Sequence, residues 1–156
     1  MAQSMLLPII CGLLGSTLTH GEAKKEAVYN NKEVTMNTKI EEKMSRKIYS
    51  VQSYESVLDV ARQMAARKIG SLLVTQEGKY TGIITEGDIV RKVVSNDAPP
   101  GETLVSSVMT TSLITIESDD SLSEASSIMK KNNIRHLVVT KRGGIVAVIS
   151  AGDLLQ

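Results

Sequence analysis

Slid along itself by 65 residues, this chain matches its own second half. Residues 38–91 align with 103–156 without a gap, and 13 of the 54 aligned pairs are identical. Met44 falls on Met109, Ser56 on Ser121, Met64 on Met129, Ile69 on Ile134, Leu72 on Leu137, Val74 on Val139, Gly78 on Gly143 and Asp88 on Asp153. Other pairs keep size and polarity, as Val51 with Ile116, Val57 with Leu122 and Thr85 with Ser150. Two copies are too few for a solenoid, which needs at least three stacked units. They are expected to pack on each other as two similar lobes. Their join, 95–101 (SNDAPPG), reads as a loop.

Each copy has one pattern. A short helix (38–44, 103–109) leads into a short apolar strand, IYSV at 48–51 and LITI at 113–116. A helix follows, with Val57, Val60, Ala61 and Met64, then Leu122, Ala125, Ile128 and Met129, at helical spacing. Ser121 and Glu124 have the spacing of a capping box. Two strands come next (71–75 with 80–85, 136–140 with 145–150), joined by the Gly-containing turns QEGK and KRGG. A last helix starts near Asp88 and near Asp153. The expected fold is α/β: two β-α-β-β-α domains, each preceded by a short helix, packed pseudo-symmetrically. Residues 38–95 form the first domain, 96–102 the linker and 103–156 the second, whose closing helix is truncated three residues after Asp153. The N-terminal extension or a partner subunit is expected to cover the surface that leaves exposed.

Residues 1–37 read as a flexible extension and linker. Its apolar run, 5–14 (MLLPIICGLL), is too short to span a bilayer, and no Lys or Arg precedes Lys24 as an export signal would require. Cys11 follows Ile10, where a lipid-attachment signal needs a small residue. With one cysteine, no intramolecular disulfide can form, and a cytoplasmic location is expected. The net charge of +1, from 18 basic and 17 acidic residues, excludes a field-driven nucleic-acid binder, and with no Trp or Phe there is no stacking platform. There is no GxxxxGK[ST] or GxGxxG loop and no Cys/His metal spacing, so neither enzyme activity nor a metal site is expected.

The chemistry concentrates where the third strand of each copy runs into a helix: Thr85-Glu86-Gly87-Asp88 and Ser150-Ala151-Gly152-Asp153. A hydroxyl and a carboxylate three residues apart can cap a helix. The same carboxylate can accept from a vicinal diol, and the free N–H groups beside it suit a phosphate. Repetition at one phase favours a binding site over two independent caps. His136 is either a satisfied core histidine or a phosphate donor. Arg91 and Lys92 lie one turn past Asp88, within reach of a phosphate, whereas Lys130-Lys131 and Lys141-Arg142 read as solvated.

GIITEGD at 82–88 and AVISAGD at 147–153, after the strands IGSLLV and IRHLVV, resemble CBS domains, and the tandem arrangement resembles a Bateman module. Such modules bind adenosine-containing ligands (AMP, ADP, ATP, S-adenosylmethionine or NAD-type dinucleotides) in two clefts between the domains and often pair as homodimers. The resemblance implies ribose contacts at Asp88 and Asp153, with Thr85 and Ser150 beside them. It implies phosphate contacts at Arg135 and His136, an adenine pocket lined by Val51, Thr115 and Ile116, and an opposite wall of Ile69, Gly70 and Ile134. The sequence departs from the family at three points: Gly70-Ser71 stands where the second copy has Arg135-His136, Gly87 where many members have Arg, and Val138 where Pro is common. The clefts are therefore expected to differ in phosphate affinity. The implied function is a nucleotide-sensing regulatory module acting on a partner protein, with no direct nucleic-acid contact. The alternative is a ligand-free dimerisation or scaffold module.

Overall fold

The computed structural model describes residues 37–155. The apolar run at 5–14, Cys11, His20 and nearly all of the 1–37 extension lie outside the described residues. In chain order the elements are α1 (Ile40–Lys43), β1 (Ser50–Gln52), α2 (Val57–Arg67), β2 (Ser71–Gln76), β3 (Lys79–Thr85) and α3 (Glu86–Lys92). After a 3-10 turn at Val94–Asn96 come α4 (Val105–Val108), β4 (Thr115–Glu117), α5 (Leu122–Asn132), β5 (His136–Lys141), β6 (Gly144–Ser150) and a closing 3-10 turn, Asp153–Leu155.

The repeat extends to the hydrogen-bond register. β1 runs parallel to β2 and β2 antiparallel to β3; β4, β5 and β6 do the same. Ser50 pairs with Leu73 and Thr115 with Val138, Leu72 with Ile84 and Leu137 with Ile149, each set 65 residues from its counterpart. Both hairpins bend at two residues of positive φ, Glu77 and Gly78, Arg142 and Gly143, the requirement of a type I′ turn. Ser56 and Ser121 cap α2 and α5 by accepting from Asp59 N and Glu124 N, both at 3.1 Å. The carboxylate of Glu124 returns no bond, so the expected capping box is half formed. The first strands start two residues later than their apolar residues suggest. Ile48 and Leu113 pack between the sheets, and the ladder opens at the carbonyls of Tyr49 and Ile114.

The short helices do not cover the copies they precede; each covers the other. Ile40 N donates to Asp120 O at 3.0 Å and Glu41 N to Ser118 O at 2.8 Å. Ile40 is buried among Ile116, Leu122, Leu137 and Leu154 of the second core. Reciprocally, Val105 N donates to Glu55 O and Ser106 N to Ser53 O, and Val105 and Val108 join Val57, Val60, Ile84 and Val93 in the first core. A four-residue helix cannot hold itself in water, so it lies where apolar surface needs a cover. α1 thus covers the second core as α4 covers the first. Lys141, expected to be solvated, ties α1 down through an ion pair with Glu41 at 2.7 Å.

Side chains alternate along the strands. Leu72 and Val74 face their own helices, while Leu73, Ile83 and Val138 meet Ile48, Leu113, Ile145 and Val148 in a third cluster shared by both copies. That shared layer sets the ends of β3 and β6 against the strand entries of the opposite copy.

Candidate functional site

Two cavities result, each built from both copies. The Asp88 cleft, about 210 Å³, takes Thr85, Gly87, Asp88 and Arg91 from the first copy and Ser112, Leu113, Ile114, Ile134, Arg135 and His136 from the second. The Asp153 cleft, about 520 Å³, takes Ser150, Gly152 and Asp153 from the second copy and Lys47, Ile48, Tyr49, Ile69, Gly70 and Ser71 from the first. Apart from Arg91, these sets match under the 65-residue offset. Gly70, Glu86, Arg135 and His136 line both cavities, forming the wall between them.

Of the residues implied by the resemblance, Thr85, Asp88, Ile134, Arg135, His136 and Gly70 line the first cleft. Ser150, Asp153, Ile69, Gly70, Arg135 and His136 line the second. The three residues expected to line an adenine pocket lie elsewhere. Val51 and Ile116 are core residues, 3% and 4% exposed, and Thr115 is exposed on β4; none of the three lines either cavity. The lining falls instead on Lys47, Ile48 and Tyr49, and on Ser112, Leu113 and Ile114, in the connections that enter β1 and β4. The duplication pairs these positions but does not say which of them precede the ladder, so sequence reasoning missed them. Tyr49 is the aromatic side chain of the Asp153 cleft, with the Lys47 amine 5.0 Å and the Arg67 guanidinium 5.4 Å from its ring centre.

The two carboxylates are held differently. Asp88 is 5% exposed. Its Oδ2 accepts from Thr85 Oγ1 at 2.6 Å and Thr85 N at 3.0 Å, while Asp88 N donates back to Thr85 Oγ1 at 3.2 Å, a complete capping box. Its Oδ1 pairs with Lys92 Nζ at 2.8 Å and accepts from Thr110 Oγ1 at 3.5 Å. Burial pushes the Asp88 carboxyl up. The bonds from Lys92 and Thr85, with the Lys92 charge, outweigh it and hold the group below its ordinary 3.8. Lys92 therefore faces Asp88 rather than an open phosphate position. Asp153 is half-buried. Its Oδ2 accepts from Ser150 N and Ser150 Oγ, both at 2.7 Å, and Oδ1 makes no hydrogen bond among the described residues.

At Gly87 an added Cβ would lie 2.8 Å from both terminal nitrogens of Arg91, so the Arg91 guanidinium covers the glycine. On the shared wall, an added Cβ at Gly70 would lie 3.2 Å from Glu86 Oε2 and 3.3 Å from His136 Nε2. Burial, then the neighbouring Arg135 charge, push the His136 imidazole below its ordinary 6.5, against the pull of Glu86, Asp153 and Asp88. Arg135 makes no side-chain hydrogen bond or ion pair among the described residues. Among those residues there is no cluster fit to hold a metal ion and no helix long and apolar enough to cross a membrane.

The model of the CBS domain matches residues 38–95 and again 105–156. An uncharacterized protein of Methanopyrus kandleri is 35% identical over 104 residues, which are 65% of this chain and 53% of that protein. The CBS domain-containing protein CBSCBSPB2 of Arabidopsis thaliana is also 35% identical over 104 residues, 66% of this chain and 19% of its own length. This chain thus spans about half of the first relative and a fifth of the second. Neither is named for a catalytic activity. The crystal structure of an uncharacterized conserved protein from Pyrococcus horikoshii superposes with a TM-score of 0.73 at 31% identity, covering 77% of this chain and 91% of that one. Duplicated register, exchanged short helices and paired clefts therefore have a family: the chain belongs to the CBS-domain proteins and carries two such domains in tandem.

Proposed function

We propose that the chain is a regulatory module that binds an adenosine-containing ligand between its two domains and passes the bound state to a partner protein. CBS-domain proteins generally act as regulatory modules. One observation carries the ligand reading: each cleft joins the hydroxyl–carboxylate end of one domain to the strand entry of the other, so a ligand bridges both. The Asp153 cleft fits best. Its volume falls within the range of about 300–1,000 Å³ usual for small-molecule sites, whereas the Asp88 cleft falls below it. Asp153 holds the ribose diol, Ser150 orients Asp153, and Tyr49, Ile48 and Ile69 flank the base. Arg135 offers a bidentate fork to phosphate and His136 a second donor once protonated. A change in the angle between the domains provides the signal, because a bridging ligand favours the geometry it spans. Pairing as a homodimer is part of this reading, and Leu58, Val90, Val94 and Leu104 are exposed apolar side chains open to such a contact.

The ligand-free scaffold remains a second reading, favoured by the complete internal satisfaction of Asp88. A thermal-shift panel with AMP, ADP, ATP, S-adenosylmethionine and NADH separates the two. A ligand at about 100 times its Kd adds roughly 2.7 kcal/mol, a rise of several degrees for a chain of this length. The expected result is a rise with an adenosine ligand that disappears when Asp88 and Asp153 are both changed to Ala. No rise with any of them would leave the scaffold.

A further inference from the structure

The wall between the clefts is built from positions that are counterparts in the repeat. Under the 65-residue offset Gly70 is the counterpart of Arg135 and Ser71 of His136. Gly70 and Arg135 both line both clefts. Two identical copies would bring two basic groups to this wall, one for each cleft; this chain brings one. An added Cβ at Gly70 would stand 3.2 Å from Glu86 Oε2 and 3.3 Å from His136 Nε2, so the room that a second basic side chain would need is already filled. Burial keeps the His136 imidazole below its ordinary 6.5. At neutral pH Arg135 is therefore the cation of the wall and Glu86 its anion. Arg135 is exposed, and its side chain has no hydrogen bond or ion pair among the described residues, so nothing among them ties its guanidinium to either cleft. A planar fork turned to a phosphate in one cleft is turned away from the other. The bound phosphate and Glu86 then repel a second phosphate at the same wall.

We propose that Arg135 is one phosphate arm shared by two clefts, so that a phosphorylated ligand in either cleft weakens the binding of a phosphorylated ligand in the other. This rests on the adenosine-ligand reading above and adds its regulation. By linkage the weakening is equal in both directions. It acts only through phosphate, and nucleosides without one occupy the clefts independently. The single arm gives the chain a second site that fills only at nucleotide levels well above those that fill the first.

Isothermal titration of the whole chain with AMP, and with adenosine as the probe without phosphate, tests the shared arm. Of the two clefts, Ser45 lines only that of Asp153 and Ser112 only that of Asp88, and both residues are exposed. Ser45→Trp and Ser112→Trp therefore close one cleft each. Asp153→Asn and Asp88→Asn, which remove one ribose acceptor each, repeat the comparison without an added ring. The wild type is expected to bind a second AMP at least about tenfold more weakly than the first, the scale of a hydrogen bond to a charged group. Ser112→Trp keeps the first AMP affinity within about twofold. Ser45→Trp binds one AMP at least about tenfold more tightly than the second site of the wild type, because the arm is free to serve the remaining cleft. Adenosine shows no such gain. Arg135→Gln, added to either Trp variant, weakens AMP at least about tenfold. Wild-type AMP affinities equal to those of the two variants taken singly, no AMP binding to Ser45→Trp, or a loss on Arg135→Gln in only one variant would overturn the shared arm while leaving the adenosine reading in place. Absence of AMP binding to the wild type, together with no shift from the other adenosine ligands, would overturn both.

Discussion

The Asp88 and Asp153 clefts begin from matching tetrapeptides at one phase of a repeat, and they end as different objects. In the first domain the tetrapeptide opens a seven-residue helix, α3, whose Lys92 returns to the carboxylate. Thr110 pairs with Ile83 across the open edge of β3, and the space contracts to about 210 Å³. In the second domain the tetrapeptide opens one 3-10 turn, no such bridge reaches β6 among the described residues, and the space is about 520 Å³. One tetrapeptide thus gives a carboxylate bonded through both oxygens in the first domain and, among the described residues, through one in the second.

The largest expected effect tests the cover that α1 gives the second core. Ile40→Ala removes a fully buried side chain from the second core and should cost about 2–5 kcal/mol. Hydrogen exchange should then show β4–β6 opening before β1–β3. If both sheets open together, the second domain does not depend on α1 in the way proposed. Next comes Gly82, whose counterpart is Ala147. An added Cβ would stand 2.9 Å from Thr110 O, so Gly82→Ala should force the segment after α4 off β3 at a cost of about 1–3 kcal/mol. Exchange of the Ile83 and Thr110 amides reads this directly, and unchanged protection would remove the close approach as a cause of the smaller cleft.

How much of this was legible in the sequence follows from the range of the interactions. The strands, the two hairpins and helices α2 and α5 rest on local signals, namely alternation, a Gly at the turn and a Ser cap, and all of these are present in the chain. The exchange of α1 and α4 is different. Ile40 and Val105 find their partners in the opposite copy, 65 or more residues away for most contacts of Ile40, and no local pattern names them. The site was half legible. The repeated tetrapeptide marked Asp88 and Asp153, but the pocket walls moved from Val51, Thr115 and Ile116 to the residues just before them, because strand entry is set by pairing rather than by composition. Lys92 stands at i+4 from Asp88, a spacing visible in the sequence, yet its choice of carboxylate over solvent depended on the burial of Asp88.

A smaller effect separates the two caps. Asp88→Ala loses a capping box on a regular helix and should cost about 0.5–2 kcal/mol in chemical denaturation. Its half-exposed lysine partner adds little. Asp153→Ala, on a single turn, should cost less. Equal costs would mean that the two carboxylates do the same structural work.

The smallest effect is one of pH. Since the folded protein holds His136 below 6.5, the unfolded chain binds the proton more tightly. The stability that this residue contributes is therefore present above pH 6.5 and declines as the pH falls through the lower folded value. Melting temperature should drop on acidification from pH 7.5 to 5.5, and less so in His136→Asn. A phosphate ligand beside the imidazole favours its charged form, so binding should take up a proton and tighten towards acid pH. An identical pH profile in His136→Asn would place the imidazole outside the phosphate site.

The most direct measurement is a crystal structure of the chain with AMP. The account predicts a nucleotide that bridges the domains, its ribose hydroxyls on Asp153 and its phosphate on Arg135. A ribose on Asp88 alone, or no nucleotide in either cleft at saturating AMP, would contradict it.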